Sequence, residues 1–172
     1  MQRDVRKFGI SDKRGRVMTS SDPYIPDEGL EEPAVCASCH AVYQQKRWIQ
    51  DPLLFIHMEK EAATKQVTCP ACQKIAEGYA EGILTLQGDY LWKHEEGIMQ
   101  LLKNVEKKAT AKNPIDRVLR RLREDERLVI ETTGRKLAEH LGRALHRAHK
   151  GDISVSWSQD HDRCRVTWER MN

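Results

Sequence analysis

Two pairs of cysteines have the type and spacing to do chemistry. Cys36-Ala37-Ser38-Cys39 and Cys69-Pro70-Ala71-Cys72 both read C-x-x-C, with 29 residues between the pairs. Two such turns can each offer two thiolates to one Zn²⁺, completing a tetrahedral four-sulfur site that is closed and therefore structural. The gap exceeds the about fifteen to twenty residues common in such sites, so the chain must leave and return between the turns. Metal binding would then supply folding energy that so short a segment cannot draw from a core.

Other chemistries fit the same residues less well. His40 follows the first pair, which spells the C-x-x-C-H of covalent haem attachment. Gln73 follows the second pair, so the pattern does not recur. His40 is instead expected in the first turn, where glycine is more usual. A redox dithiol needs a C-x-x-C at a helix N-terminus inside a βαβ unit, whereas here there are two pairs and each precedes a polar segment. Within the zinc reading, replacement of one thiolate by His40 or His57 stays open. No G-x-S-x-G, H-E-x-x-H or P-loop is present. His146 and His149 share a helical face with Arg143, Arg147 and Lys150, whose charges repel a metal ion. No catalytic residue is assigned, no small-molecule substrate is implied, and a non-enzymatic role is expected.

Composition narrows the class. With 32% charged and 6% aromatic residues, the 172-residue chain can cover one modest core. No apolar run approaches the about eighteen residues of a membrane span, so no membrane partner is expected. The basic start, "MQRDVRKFGISDKRGR", never becomes the apolar stretch of a secretory signal. A cytoplasmic, reducing compartment is expected, where five cysteines are not a disulfide framework.

Around the cysteines the sequence predicts three regions. Residues 1–33 carry Arg3, Arg6, Lys7, Lys13, Arg14 and Arg16, then an acidic, proline-containing run without apolar periodicity. That reads as an extended arm, disordered when free. Residues 34–77 read as a zinc ribbon, with a strand near 42–49, a loop at Asp51-Pro52 and a strand into Cys69. Residues 78–172 read as an α+β domain of order β-α-β-α-β-β with a small mixed sheet and helices on one face. Its strands are 82–88, with Leu84 and Leu86 on one face, 127–133, and a final hairpin "DISVSWS"/"RCRVTWER". Asp89 is expected to cap a helix bearing Leu91, Ile98, Leu102 and Val105. Pro114 is expected to start a short basic helix, and Thr133 to cap a helix over 135–149 that buries Leu137, Leu141, Leu145 and Ala148. Alternation in the last strand puts Cys164 with Val166 and Trp168, a core thiol and not a fifth ligand.

The charge pattern suggests a partner. Lys136, His140, Arg143, Arg147 and Lys150 form one stripe opposite the leucines of helix 135–149. Arg117, Arg120, Arg121 and Arg123 form a second block, and Arg163 and Arg165 point off the hairpin. Basic stripes on a small sheet domain suit phosphate backbones, and structured RNA is read largely by shape and phosphates.

The ordered set "VCASCHAVYQQKRW" (35–48), "CPACQKI" (69–75), "GYAEGILTLQG" (78–88), "ETTGRKLAEHLGRALHRAHKGDISVSW" (131–157) and "RCRVTWER" (163–170) resembles successive segments of the nonsense-mediated-decay-three family, adaptors for export of the large ribosomal subunit. It is also similar to short bacterial zinc-ribbon proteins that lack the rest. The resemblance implies one zinc held by Cys36, Cys39, Cys69 and Cys72, and binding to the large subunit near its tRNA sites. Further cysteine knuckles and a later domain of those adaptors are not matched, so export is not implied. The expectation is a monomeric, rRNA-binding factor acting in ribosome dormancy (hibernation) or subunit quality control. The alternative is a zinc-ribbon regulator that binds DNA or another protein.

Overall fold

The computed structural model describes residues 9–11, 17–19, 24, 29–158 and 163–172. Gly9–Ser11 (β1) pairs antiparallel with Val17–Thr19 (β2). Of the arm expected over 1–33, the rest of residues 1–28, including Arg3, Arg6, Lys7, Lys13, Arg14 and Arg16, lies outside the described residues apart from Tyr24. Tyr24 reaches back to the fold, with its hydroxyl on Glu77 and its ring 5.4 Å from that of Tyr79.

A four-stranded sheet carries the first cysteine turn. Ala34–Cys36 (β3) pairs antiparallel with Val42–Gln44 (β4), which pairs with Arg47–Ile49 (β5). The single strand expected over 42–49 is thus a hairpin. Gln45 and Lys46 both take positive φ, 52° and 61°, the two-residue turn whose twist suits paired strands. The Glu32 carboxylate accepts both turn N–H groups, at 2.8 and 2.9 Å. Asp51-Pro52 is likewise a helix start and not a loop: Asp51 accepts from the Leu53 and Leu54 amides and caps Pro52–Glu59 (α1). The chain returns through Lys65–Val67 (β6), parallel to β3, and Cys69 begins Pro70–Glu77 (α2). Tyr43 and Trp48, ring centroids 5.2 Å apart, pack with Ala34, Ala41 and Ala71 beneath this sheet.

Strict alternation builds the second sheet. Gly82–Gln87 (β7) buries Leu84 and Leu86. Asp89–Lys93 (α3) and Glu95–Lys112 (α4) follow, then Val118–Glu124 (β8), Arg127–Thr132 (β9), Arg135–His149 (α5), Asp152–Ser158 (β10) and Arg163–Glu169 (β11). The strand order is β10-β11-β7-β9-β8, with β11 parallel to β7 and the other neighbours antiparallel, so the sheet is mixed and the fold is α+β. Helix α5 lies across one face and α4 packs against α5. Leu84, Leu86, Ile130, Cys164, Val166 and Trp168 meet Leu137, Leu141, Leu145, Ile98 and Leu102 in one core. Gly142 lets α5 close on that face, since a Cβ there would fall 2.5 Å from Val166 Cγ1. Trp168 donates its indole N–H to the Lys150 carbonyl at 2.7 Å, so the largest core side chain is satisfied.

Several local expectations change. The basic helix expected from Pro114 is strand β8, which makes the order β-α-α-β-β-α-β-β. The spacing of Val118 and Leu122 suits a helix, but the open edge of β9 takes the segment as an antiparallel partner through a turn at Asp125, φ 50°. Tertiary pairing overrides the local pattern. Gly88, at φ 102°, occupies the cap position before α3, and Asp89 is the first helical residue. Gly134 precedes α5, while the Thr133 hydroxyl donates to the Ile115 carbonyl and accepts from the Arg117 amide. Ala148 is exposed; the last turn of α5 sets His149 against Tyr90 instead.

Candidate metal centre

Two tight turns bring the four thiols together. In the first, the Cys36 amide donates to the Ala41 carbonyl at 2.8 Å and the His40 amide to the Cys36 carbonyl at 3.0 Å. Closing that loop puts His40 at φ 63°, the conformation for which glycine is more usual. In the second, Cys69 itself caps α2, its sulfur accepting the Cys72 amide at 3.4 Å. The Ala37 amide on the Val67 carbonyl, 2.9 Å, ties one turn to the strand that leads into the other.

The sulfurs of Cys36, Cys39, Cys69 and Cys72 all lie within 4.8 Å of one another. Cys36 Sγ is 3.8 Å from Cys72 Sγ, and Cys39 Sγ is 3.6 Å from Cys69 Sγ. A tetrahedron with metal–sulfur bonds of about 2.3 Å has edges of about 3.8 Å, so the cluster has the size of a four-thiolate cage and can hold a metal ion such as zinc. Cys36 and Cys69 are buried, and all five cysteines are free thiols.

Electrostatics within the cage favour a cation. A hydrogen bond from the Cys69 thiol, the Ala41 backbone and the Arg117 guanidinium bring the Cys39 pKa down to about 4, against burial. Cys69 is pushed well up by giving that hydrogen bond and by burial, and Cys72 is raised chiefly by burial. Packed sulfurs cannot all ionise alone; a dication among them lets every thiol give up its proton.

Arg117, from the segment before β8, reaches this cage. Its Nη2 is 3.0 Å from Cys39 Sγ and 3.7 Å from Cys69 Sγ, and its Nη1 is 3.6 Å from Cys72 Sγ. Burial works against its charge, yet the Cys39 thiolate holds its pKa above the usual arginine value. A separation of 78 residues from Cys39 leaves no sequence signal for this contact. Sequence reasoning also missed Lys74, two residues after Cys72. Its buried ammonium lies 2.7 Å from Glu81 and 3.3 Å from the Thr133 carbonyl, joining α2 to the larger sheet.

The other candidates sort clearly. His40 is exposed and stacks on Phe55, with centroids 4.4 Å apart, and exposed His57 lies 3.6 Å from Glu61. Neither joins the cluster, whose only potential ligands among the described residues are the four cysteines. His146 Nδ1 meets the Gly151 carbonyl at 2.8 Å and His149 Nδ1 the Tyr90 hydroxyl at 3.3 Å, so the two rings do not converge. Cys164 is fully buried in the core of the larger sheet. The helix-start position of Cys69 is the feature a redox dithiol needs, but α2 connects two different sheets and no βαβ unit surrounds it.

Lys136, Arg143 and Arg147 on α5 and Lys150 at its C-cap are all exposed. Arg143 pairs with Glu139 at 2.7 Å. The arginine block on β8 is largely consumed internally: Arg120 pairs with Glu131, Arg121 with Glu106 at 2.6 Å, and Arg123 lies 4.0 Å over the Trp92 ring. Arg163 sits over Tyr79, and Arg165 is exposed. No helix among the described residues is long and apolar enough to cross a membrane.

Fold and site together define an α+β protein with a four-cysteine cluster able to hold a metal ion. Compared with family models, curated proteins and solved structures, the chain matches none.

Proposed function

We propose that this chain is a zinc-stabilised, non-enzymatic ribosome-binding factor of the cytoplasm. One structural Zn²⁺ on Cys36, Cys39, Cys69 and Cys72 holds the first sheet and its turns as a zinc ribbon. The larger domain then presents α5 to folded rRNA of the large subunit near the tRNA sites. A small factor occupying that space blocks translation, which fits dormancy or subunit quality control. The observation that carries the reading is the α5 stripe. Lys136, Arg147 and Lys150 are exposed with no ion pair among the described residues, and unneutralised cations are what phosphate contact requires.

Sedimentation of cell extracts through sucrose gradients, in growth and in starvation, tests this. The protein is expected with the 50S particle or the intact ribosome, and a Lys136→Glu/Arg147→Glu/Lys150→Glu variant is expected at the top. A wild-type protein that stays at the top in both states refutes it. Equal affinity for duplex DNA and rRNA favours a DNA-binding regulator instead.

A further inference from the structure

Arg117 has an environment that ordinary arginines lack. It is half-buried, and among the described residues no carboxylate pairs with it; its anionic partners are sulfurs. Its aim is fixed from three directions. The Nε–H donates to the Pro114 carbonyl at 2.7 Å, the backbone N–H to the Thr133 hydroxyl at 3.0 Å, and the Thr133 amide returns a bond to the Arg117 carbonyl at 2.9 Å. Thr133 directly follows strand β9, so the guanidinium is anchored to the larger sheet while its two terminal nitrogens reach three sulfurs of the cysteine turns beside the smaller one. Neighbouring Ile115 packs into the core under the cysteines.

We propose that Arg117 is the counter-ion of the thiolate centre and latches the two sheets together, so that metal occupancy and docking are one coupled equilibrium. The inference rests on the metal-binding part of the reading above and is independent of ribosome binding. Four thiolates around a dication carry two net negative charges, and the guanidinium takes one back. N–H···S hydrogen bonds draw electron density from the sulfurs, which protects them from protons and electrophiles. A correctly spaced cage also gives Arg117 its only counter-charge among the described residues, so a collapsed or emptied cage loosens its hold on the segment before β8. Coupling of this kind is reciprocal: what the latch adds to metal affinity, the metal adds to docking. Outer partners of metal ligands are typically worth about 10- to 100-fold in metal affinity.

The test uses the full chain with Co²⁺ as probe, because thiolate-to-cobalt absorption reports the tetrahedral sulfur set. Competition against a chelator gives affinity for wild type, Arg117→Met and Arg117→Lys. Hydrogen exchange of segment 115–119, with and without metal, gives docking. Arg117→Met is expected to bind cobalt about 10- to 100-fold more weakly and to lose the metal-dependent protection of that segment. Arg117→Lys, which keeps the charge without the fork, is expected between the two. A merely structural arginine would lower the stability of loaded and metal-free chains alike and leave the metal-induced change in exchange intact. A normal thiolate band with unshifted affinity in Arg117→Met overturns the latch alone, and no band in wild type overturns the metal reading with it. If Arg117→Met does not fold, wild type decides: protection of 115–119 that ignores chelation overturns the proposal.

Discussion

Lys74→Met probes the joint between the sheets most directly. The Lys74 side chain is 2% exposed and that of Glu81 9%, with nitrogen and oxygen 2.7 Å apart. The ammonium also reaches the Thr133 carbonyl and lies 5.5 Å from the Tyr24 ring centroid. Removing one partner of a buried pair costs about 3–5 kcal/mol, whereas an exposed pair is worth about 0–1 kcal/mol. Arg143–Glu139 provides the contrast within the same molecule, an i,i+4 pair with side chains 58% and 25% exposed. Arg143→Ala is expected to cost about 0.3–0.5 kcal/mol. Urea unfolding with metal in excess, compared at matched m-values, measures both. The double variant Lys74→Met/Glu81→Leu is expected to recover much of the loss, since apolar groups of similar volume often replace a buried pair neutrally. A Lys74→Met cost no larger than that of Arg143→Ala refutes the claim that this pair is shielded from water.

Three further outcomes follow from named contacts. Burial, then the charges of His94 and Arg170, lowers the His149 pKa below its ordinary value. The unfolded chain therefore takes up the proton first, so the associated stability is complete above about pH 6.5 and declines as pH falls toward the folded pKa; His149→Gln should flatten that part of the urea-midpoint profile, and an unchanged slope counts against it. Gly88→Ala sets a Cβ 2.2 Å from the Arg170 carbonyl oxygen at φ 102° and should cost at least about 2 kcal/mol, while Gly97→Ala, with open space on exposed α4, should gain about 0.5–1 kcal/mol. Thermal melts of the pair with equal midpoints would contradict this. Cys164→Ala should lose core stability yet keep one metal per chain with an unaltered cobalt spectrum; a changed spectrum would make Cys164 a ligand.

Much of the larger sheet was legible because burial wrote its period into the chain. Leu84 and Leu86, Leu128 and Ile130, and Cys164, Val166 and Trp168 alternate as strands with one covered face must, and the leucines of 135–149 recur as a helix on that face must. Segment 114–124 was not legible, because Val118 and Leu122 suit either period and the choice fell to the free edge of β9. The hairpin at Gln45-Lys46 was hidden for another reason: neither residue type advertises positive φ, and a distant Glu32 carboxylate holds the turn.

The cysteine spacing by itself determined that four thiols could meet, since each C-x-x-C turn closes locally whatever surrounds it. Cys164 was likewise set apart from them by strand alternation alone. Only the tertiary structure decided which charges stay available to a partner. Lys136, Arg147 and Lys150 stay exposed, while the arginines of β8 fall opposite Glu131, Glu106 and Trp92. It alone decided, too, that Arg117 faces sulfur. Such pairings join residues far apart in the chain, and no local period or spacing carries information about contacts that form only when two sheets dock.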